Sequence, residues 1–200
     1  MLFFLPSILV GLIAGFASGG KLSRLAQIRF RYGYLIIGAF VLQVLIFSGF
    51  LPEPPASHIV VPFLHILSNL VLVGAIAANW GITGMRVVAL GLMLNLVAIA
   101  ANGGYMPVSG EVLQREGRDA ELQELRETGH VSKATLITTQ TLLPFLGDIF
   151  ALDLPPIQGR VFSAGDIFIS LGAFVLIFAG MRQKEQPLNH EDTPAMAGVG

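Results

Sequence analysis

The chain has 200 residues, of which 54% are hydrophobic and 12% charged, with a formal net charge of -1. A soluble domain carries about twice that charged fraction, and a near-neutral balance gives no footing for nucleic acid or a polybasic lipid patch. The absence of cysteine excludes disulfides, thiolate metal sites, iron–sulfur clusters, thiol catalysis and S-palmitoylation.

Mean hydropathy is +0.72, and the apolar residues fall in runs near the roughly 20 residues that cross a bilayer core. The expected fold is an all-α membrane protein with five transmembrane helices. The spans are 2–18, 34–51, 59–78, 82–101 and 162–181, within one transmembrane domain over 1–182. Between Tyr32 and Gly110 the only charged residues are Glu53 and Arg86, and long uncharged stretches mark spans.

The first span lacks the positive leader of a signal peptide. A cleavable signal ending near Ala17-Ser18-Gly19 is the competing reading. Lys21, Arg24, Arg29 and Arg31 follow the span, so the loop 19–31 is expected inside and Met1 outside. Gly11, Gly15 and Gly19 are spaced as small-xxx-small. That pattern lets a second helix approach closely, either within this bundle or from a membrane-protein partner.

The loop 52–58 has no Lys or Arg and is assigned outside, the loop 79–86 inside. The loop 102–161 is assigned outside despite Arg115, Arg118, Arg126, Lys133 and Arg160, since long loops translocate largely regardless of charge. Within it, Glu111 to Thr128 reads as a surface helix, with Glu111–Arg115 and Arg115–Asp119 at i,i+4 spacing. Val112, Leu113, Leu122 and Leu125 form its apolar stripe. Ala134 to Phe150, interrupted by Pro144, reads as a re-entrant or interfacial helix. Arg182 and Lys184 place the C-terminus inside, and 183–200 reads as a disordered cytoplasmic tail. The localisation implied is the inner (plasma) membrane, multi-pass, with the lipid bilayer as partner.

The polar residues within the spans can be placed by depth. His65 and Asn69 lie four apart on one helix face in the outer half of the third span. Asn95 is in the outer half of the fourth and Asn102 at its outer end. Asp166 is about 6 Å into the fifth. Gln43 is mid-span in the second. These groups either bond helix to helix or surround one polar pocket open to the outer leaflet. His58 and His65 share one helix, and His130 and His190 lie outside the spans, so no opposed pair stands ready for haem. No cofactor or metal is expected.

An intramembrane carboxyl is costly and points to function. Asp166 and Asp148, brought together, can share one proton and act as base and acid on water. The competing readings for Asp166 are a helix N-cap with Ser163 and an ion pair with Arg160. The glycine turn Asn102-Gly103-Gly104-Tyr105-Met106-Pro107 forms a rim to this cluster.

Asn102-Gly103-Gly104-Tyr105-Met106-Pro107-Val108-Ser109, with Leu146-Gly147-Asp148 and Val161-Phe162-Ser163-Ala164-Gly165-Asp166, resembles a bacterial integral-membrane family of unknown function over about residues 1–182. Locally, Phe162-Ser163-Ala164-Gly165-Asp166 is similar to the phenylalanine-asparagine-x-alanine-aspartate motif of signal peptidase II. That resemblance implies a catalytic aspartate at Asp166 and an outer-face peptidase of lipidated or membrane-embedded peptides. Ser163 and Gly165 depart from the motif. Asn102 is followed by Gly103, Gly104 and Tyr105, where that family has an aspartate-arginine pair. The leading expectation is therefore a binding or accessory subunit, with Asp148 and Asp166 as the catalytic pair of the alternative. No inverted repeat supports a transporter.

Overall fold

The computed structural model describes residues 5–47, 57–152 and 159–183. The tail beyond 183, the loop 52–56, Asp153 and the outermost residues of the first two expected spans lie outside the described residues.

The apolar runs fold as helices. These are α1 (Leu5–Ala17), the short α2 (Leu22–Leu25), α3 (Gly33–Phe47), α4 (Ser57–Ala77), α5 (Met85–Ala101) and, after a polar head, α8 (Ala164–Arg182). Two stretches, Ile59–Ala77 and Ala164–Arg182, are long and apolar enough to cross a membrane. α1, α3 and α5 are equally apolar but have 13, 15 and 17 residues.

Glycine sets the tightest packing. α5 and α8 meet through Gly84 and Gly91 on one side and Gly165 and Gly172 on the other. A methyl at Gly172 would lie 2.6 Å from the Val88 nitrogen, and one at Gly91 would lie 2.8 Å from the Ile169 nitrogen. Such backbone approach is how helices gain contact where lipid offers no hydrophobic driving force. The pairing of Gly84 with Gly172 and Gly91 with Gly165 makes the two helices antiparallel. Gly11 and Gly15 of α1 are also used inside the chain, against Ile177 and Met181 of α8, while Gly19 has nothing within 4 Å.

One end of the bundle is closed by Ile76, Met85, Val88 and Ala89, with Ile36, Ile169 and Leu176 packed on them. Polar ties hold the adjoining loops. The Lys21 amide donates to the Met181 carbonyl at 2.9 Å. Asn79 accepts from the Arg31 amide and donates to its carbonyl, each at 2.8 Å.

The head, over residues 102–163, corrects the all-α expectation. It contains β1 (Met106–Val108), α6 (Gly110–Arg115), α7 (Asp119–Thr128), β2 (His130–Val131), β3 (Ala134–Leu136), β4 (Phe150–Leu152) and β5 (Arg160–Phe162). The first three strands form a sheet of order β1-β3-β2, with β1 parallel to β3, and β4 pairs antiparallel with β5. The helix expected over 111–128 is two helices, because Gly117 takes φ 69° between them. Its apolar stripe holds: Val112 is buried on α6, and Leu113, Leu122 and Leu125 join Val108 in the head core.

The re-entrant or interfacial helix expected over 134–150 does not form. The segment is β3, an irregular run, a single 3-10 turn at Pro144–Leu146, and the start of β4. Thr135, Ile137, Thr138 and Thr141 are β-branched and disfavour a helix. Gly103 and Gly104, at φ 68° and 91°, turn the chain after α5 so that β1 presents its edge to β3.

Candidate functional site

Above the closed end, side chains of α3, α4, α5 and α8 line a cavity of about 570 Å³, roofed by the head. Its lower wall carries Phe40 and Val44 from α3, Leu72 from α4 and Leu92 from α5, with Gln43, His65 and Asn69 among them. Its roof carries Arg118, Glu121, Lys133, Asp148 and Arg160, and Asp166 stands where roof and helices meet. The volume falls within the roughly 300–1,000 Å³ of small-molecule sites.

Of the residues expected at a site, His65, Asn69, Asn95, Asp148, Arg160 and Asp166 all line this cavity, as does Gln43. Asn102 does not. Its side-chain nitrogen donates to the Ala98 and Leu142 carbonyls at 2.8 Å, and its oxygen accepts from the Leu142 amide at 3.0 Å. The amide is spent holding the 138–143 segment onto the end of α5.

His65 is 3% exposed. Its Nδ1 lies 2.7 Å from the Gly104 carbonyl oxygen; a carbonyl only accepts, so Nδ1 carries the hydrogen and Nε2 is left as an acceptor. Gln43 donates to the Ser68 hydroxyl at 3.2 Å, and Ser68 and Asn69 donate to the His65 carbonyl at 2.8 and 2.9 Å. The first bond ties α3 to α4, and the other two lie within α4.

Asp166 belongs to a closed set of bonds. Ser163 is the N-cap of α8. Its hydroxyl accepts from the Asp166 amide at 3.1 Å, and its own amide donates to Asp166 Oδ2 at 3.0 Å, a capping box. Asn95 on α5 completes the set. It donates to Asp166 Oδ1 at 3.0 Å and accepts from the Ser163 hydroxyl at 2.8 Å. Both carboxylate oxygens are thus engaged. Among the described residues Asp166 makes no ion pair with Arg160.

Asp148 is the opposite case. Its backbone is fixed, with its amide donating to the Pro107 carbonyl at 2.7 Å and its carbonyl accepting from the Ser109 amide at 3.1 Å. Its side chain lines the cavity, is 8% exposed, and has no hydrogen bond or ion pair among the described residues. Burial pushes its pKa up to about 7; the Asp166 and Glu121 charges add to this, and Lys133 and Arg118 oppose it. Desolvation dominates, as expected for a carboxyl that leaves water without a partner.

Lys133, Arg118 and Glu121 were not expected at the site. Arg118 and Glu121 form an ion pair at the start of α7. Lys133 is carried in by the turn between β2 and β3, and its charge reaches both Asp148 and His65. The sequence cue available was Val131-Ser132-Lys133-Ala134, a turn-bearing break between two short β-branched runs.

Residues 27–178 match a family of unknown function, DUF5317. The chain belongs to this family. The matched stretch takes in α3, α4, α5, the head and most of α8, and with them every cavity-lining residue named above. An uncharacterised protein of Thermotoga maritima is 26% identical over 184 residues, 92% of this chain and 93% of that relative. Neither match is to a signal peptidase II. No solved structure matches.

Proposed function

We propose that this DUF5317 protein is a five-span membrane protein that binds an amphiphile in its outer-side cavity, the N-terminus outside and the C-terminus cytoplasmic. Charge segregation supports the orientation. Lys21, Arg24, Arg29, Arg31, Arg86 and Arg182 gather at the closed end of the bundle with no acidic group, while the head side holds every acidic group among the described residues, between Glu111 and Asp166, together with Arg115, Arg118, Arg126, Lys133 and Arg160. Positive charge is retained on the cytoplasmic side. Large apolar side chains face outward along the helices, Ile13 at 60%, Ile37 at 67% and Phe63 at 63% exposed, and lipid is the medium that accepts such surfaces. α1 begins and α3 ends at the edge of the described residues. The 17 residues of α5 span about 25 Å, near the lower limit for crossing.

One observation carries the binding reading: a single cavity joins apolar side chains from four helices, among them Phe40, Leu72, Leu92 and Ile169, to a charged roof. An acyl chain fits the first environment and a polar headgroup the second. The test is lipid mass spectrometry on the full chain purified in mild detergent. A stoichiometric amphiphile in the wild type, lost in Leu72→Trp with helical content retained, is expected. An empty wild-type protein overturns the reading.

The aspartyl hydrolase keeps one supporting observation, that Asp148 and Asp166 line the same cavity. The engagement of both Asp166 oxygens weighs against it. Cleavage of a lipopeptide that disappears in both Asp148→Asn and Asp166→Asn would favour the hydrolase over the binding protein.

A further inference from the structure

Resting on the amphiphile reading, the cavity also carries information about the headgroup. Three cations and three acidic side chains meet at its roof, but among the described residues only one ion pair forms between them. Arg118 and Glu121 neutralise each other. Each Asp166 oxygen accepts one hydrogen bond, from the Ser163 amide and from the Asn95 side chain. Lys133 and Arg160 line the cavity and have no ion pair among the described residues. Asp148 faces the same space with a carboxyl that nothing among the described residues bonds.

We propose that the roof of the cavity binds an anionic headgroup, a phosphate or carboxylate on an acyl chain, through Lys133 and Arg160, with the unpartnered Asp148 carboxyl as a hydrogen-bond donor to it. Arginine offers a planar fork of donors and lysine a compact charge, and both pair readily with phosphate and carboxylate oxygens. A cationic headgroup would find the Asp148 carboxyl set beside two unpaired cations, with both Asp166 oxygens already engaged. A neutral headgroup would draw no charge attraction from Lys133, which is exposed, or from Arg160, which is half-buried. Burial keeps much of Asp148 protonated near neutral pH, and a protonated carboxyl donates where an ionised one only accepts. An anion placed beside it reinforces that state.

The test uses the full chain in detergent micelles and native mass spectrometry, with three single-chain probes that share one acyl tail: palmitoyl-lysophosphatidylglycerol, palmitate and monopalmitoylglycerol. Retention of either anionic probe at least about tenfold tighter than the neutral one is expected, and which of the two binds better separates phosphate from carboxylate. Lys133→Gln and Arg160→Gln each weaken the anionic probe about tenfold and leave the neutral probe unchanged. Asp148→Asn, which cannot ionise and keeps a donor, binds the anionic probe at least as tightly as wild type. Equal binding of neutral and anionic probes, or a loss of anion binding in Asp148→Asn, overturns the headgroup assignment while leaving the cavity a lipid site. Failure of all three probes overturns the amphiphile reading itself, and the headgroup assignment with it.

Discussion

Asn95 on α5 donates to Asp166 Oδ1 on α8 at 3.0 Å, across 71 positions of sequence. The bond joins the cap of one helix to the side of another at the level where the cavity begins. Ser163 Oγ, Asn95 Oδ1 and both Asp166 oxygens each have a partner, so the set is complete without water. A satisfied polar network inside a low-dielectric region is rigid, and a partly satisfied one is costly. The expected result follows from the inventory of donors. Asp166→Asn replaces an acceptor by a donor facing either Asn95 Nδ2 or the Ser163 amide. It should destabilise the fold by about 1–3 kcal/mol, read as a lower melting temperature in detergent. Asn95→Ala should cost a similar amount, and the double variant less than the sum. Additive effects would mean that the two side chains act separately.

The close glycine seam makes a second prediction with an internal control. A methyl at Gly165 would overlap the Asn95 side chain and the Gly91 carbonyl, whereas one at Gly38 or Gly74 would meet nothing within 4 Å. Both control sites are helical, so alanine there gains helix propensity. Gly165→Ala should therefore lower stability by roughly 1–3 kcal/mol, in the range of overpacked cores, while Gly38→Ala and Gly74→Ala should be neutral or stabilising. Equal melting temperatures for all three would show that α5 and α8 do not approach as closely as this seam requires.

Much of this arrangement is legible in the sequence, for a physical reason. The apolar runs set the height of each residue on its helix, and height is the coordinate that brings His65, Asn69, Asn95 and Asp166 to one cavity. The roof is not legible in the same way. Strands of two or three residues, such as His130–Val131 and Ala134–Leu136, are too short to display a period of two. Lys133 reaches the cavity only because β3 pairs with β1 from 28 positions earlier, Ala134 against Met106. Asn102 has the right depth, but the chain after residue 137 folds back onto it and consumes its amide. The heptad spacing of Gly84 with Gly91 and of Gly165 with Gly172 was present in the sequence. It becomes meaningful only once the antiparallel pairing of their helices is known.

The titration of Asp148 has a definite sign. Its folded pKa of about 7 lies above the ordinary carboxyl value of 3.8, so between the two the folded chain holds a proton that the unfolded chain has released. Stability from this group is complete below about pH 4 and is lost as pH rises to about 7. The full shift corresponds to at most about 4 kcal/mol. Asp148→Asn cannot ionise. It should match wild type near pH 4 and exceed it increasingly up to about pH 7, after which the difference is constant. Melting curves across this range in one detergent provide the measurement. A variant uniformly less stable than wild type would mean that the Asp148 carboxylate is paired rather than desolvated.

The absence of cysteine gives the proposed topology a clean test, because every introduced thiol is the only one in the chain. Gln140 is exposed in the head and Gln27 is exposed in the loop between α1 and α3. Neither side chain is bonded to the core: Gln140 uses only its backbone amide, toward Thr138 Oγ1 at 3.3 Å. Gln140→Cys and Gln27→Cys should therefore leave the fold intact. In sealed right-side-out vesicles an impermeant maleimide should label Gln140→Cys at once and Gln27→Cys only after permeabilisation. The cations beside Gln27, which include Arg24, Arg29 and Arg31, set this expectation through their retention in the cytoplasm. Labelling in the reverse order would invert the protein and turn the cavity toward the cytoplasmic leaflet. Equal labelling of both would leave the outward-facing apolar side chains of α1, α3 and α4 without a bilayer to cover them.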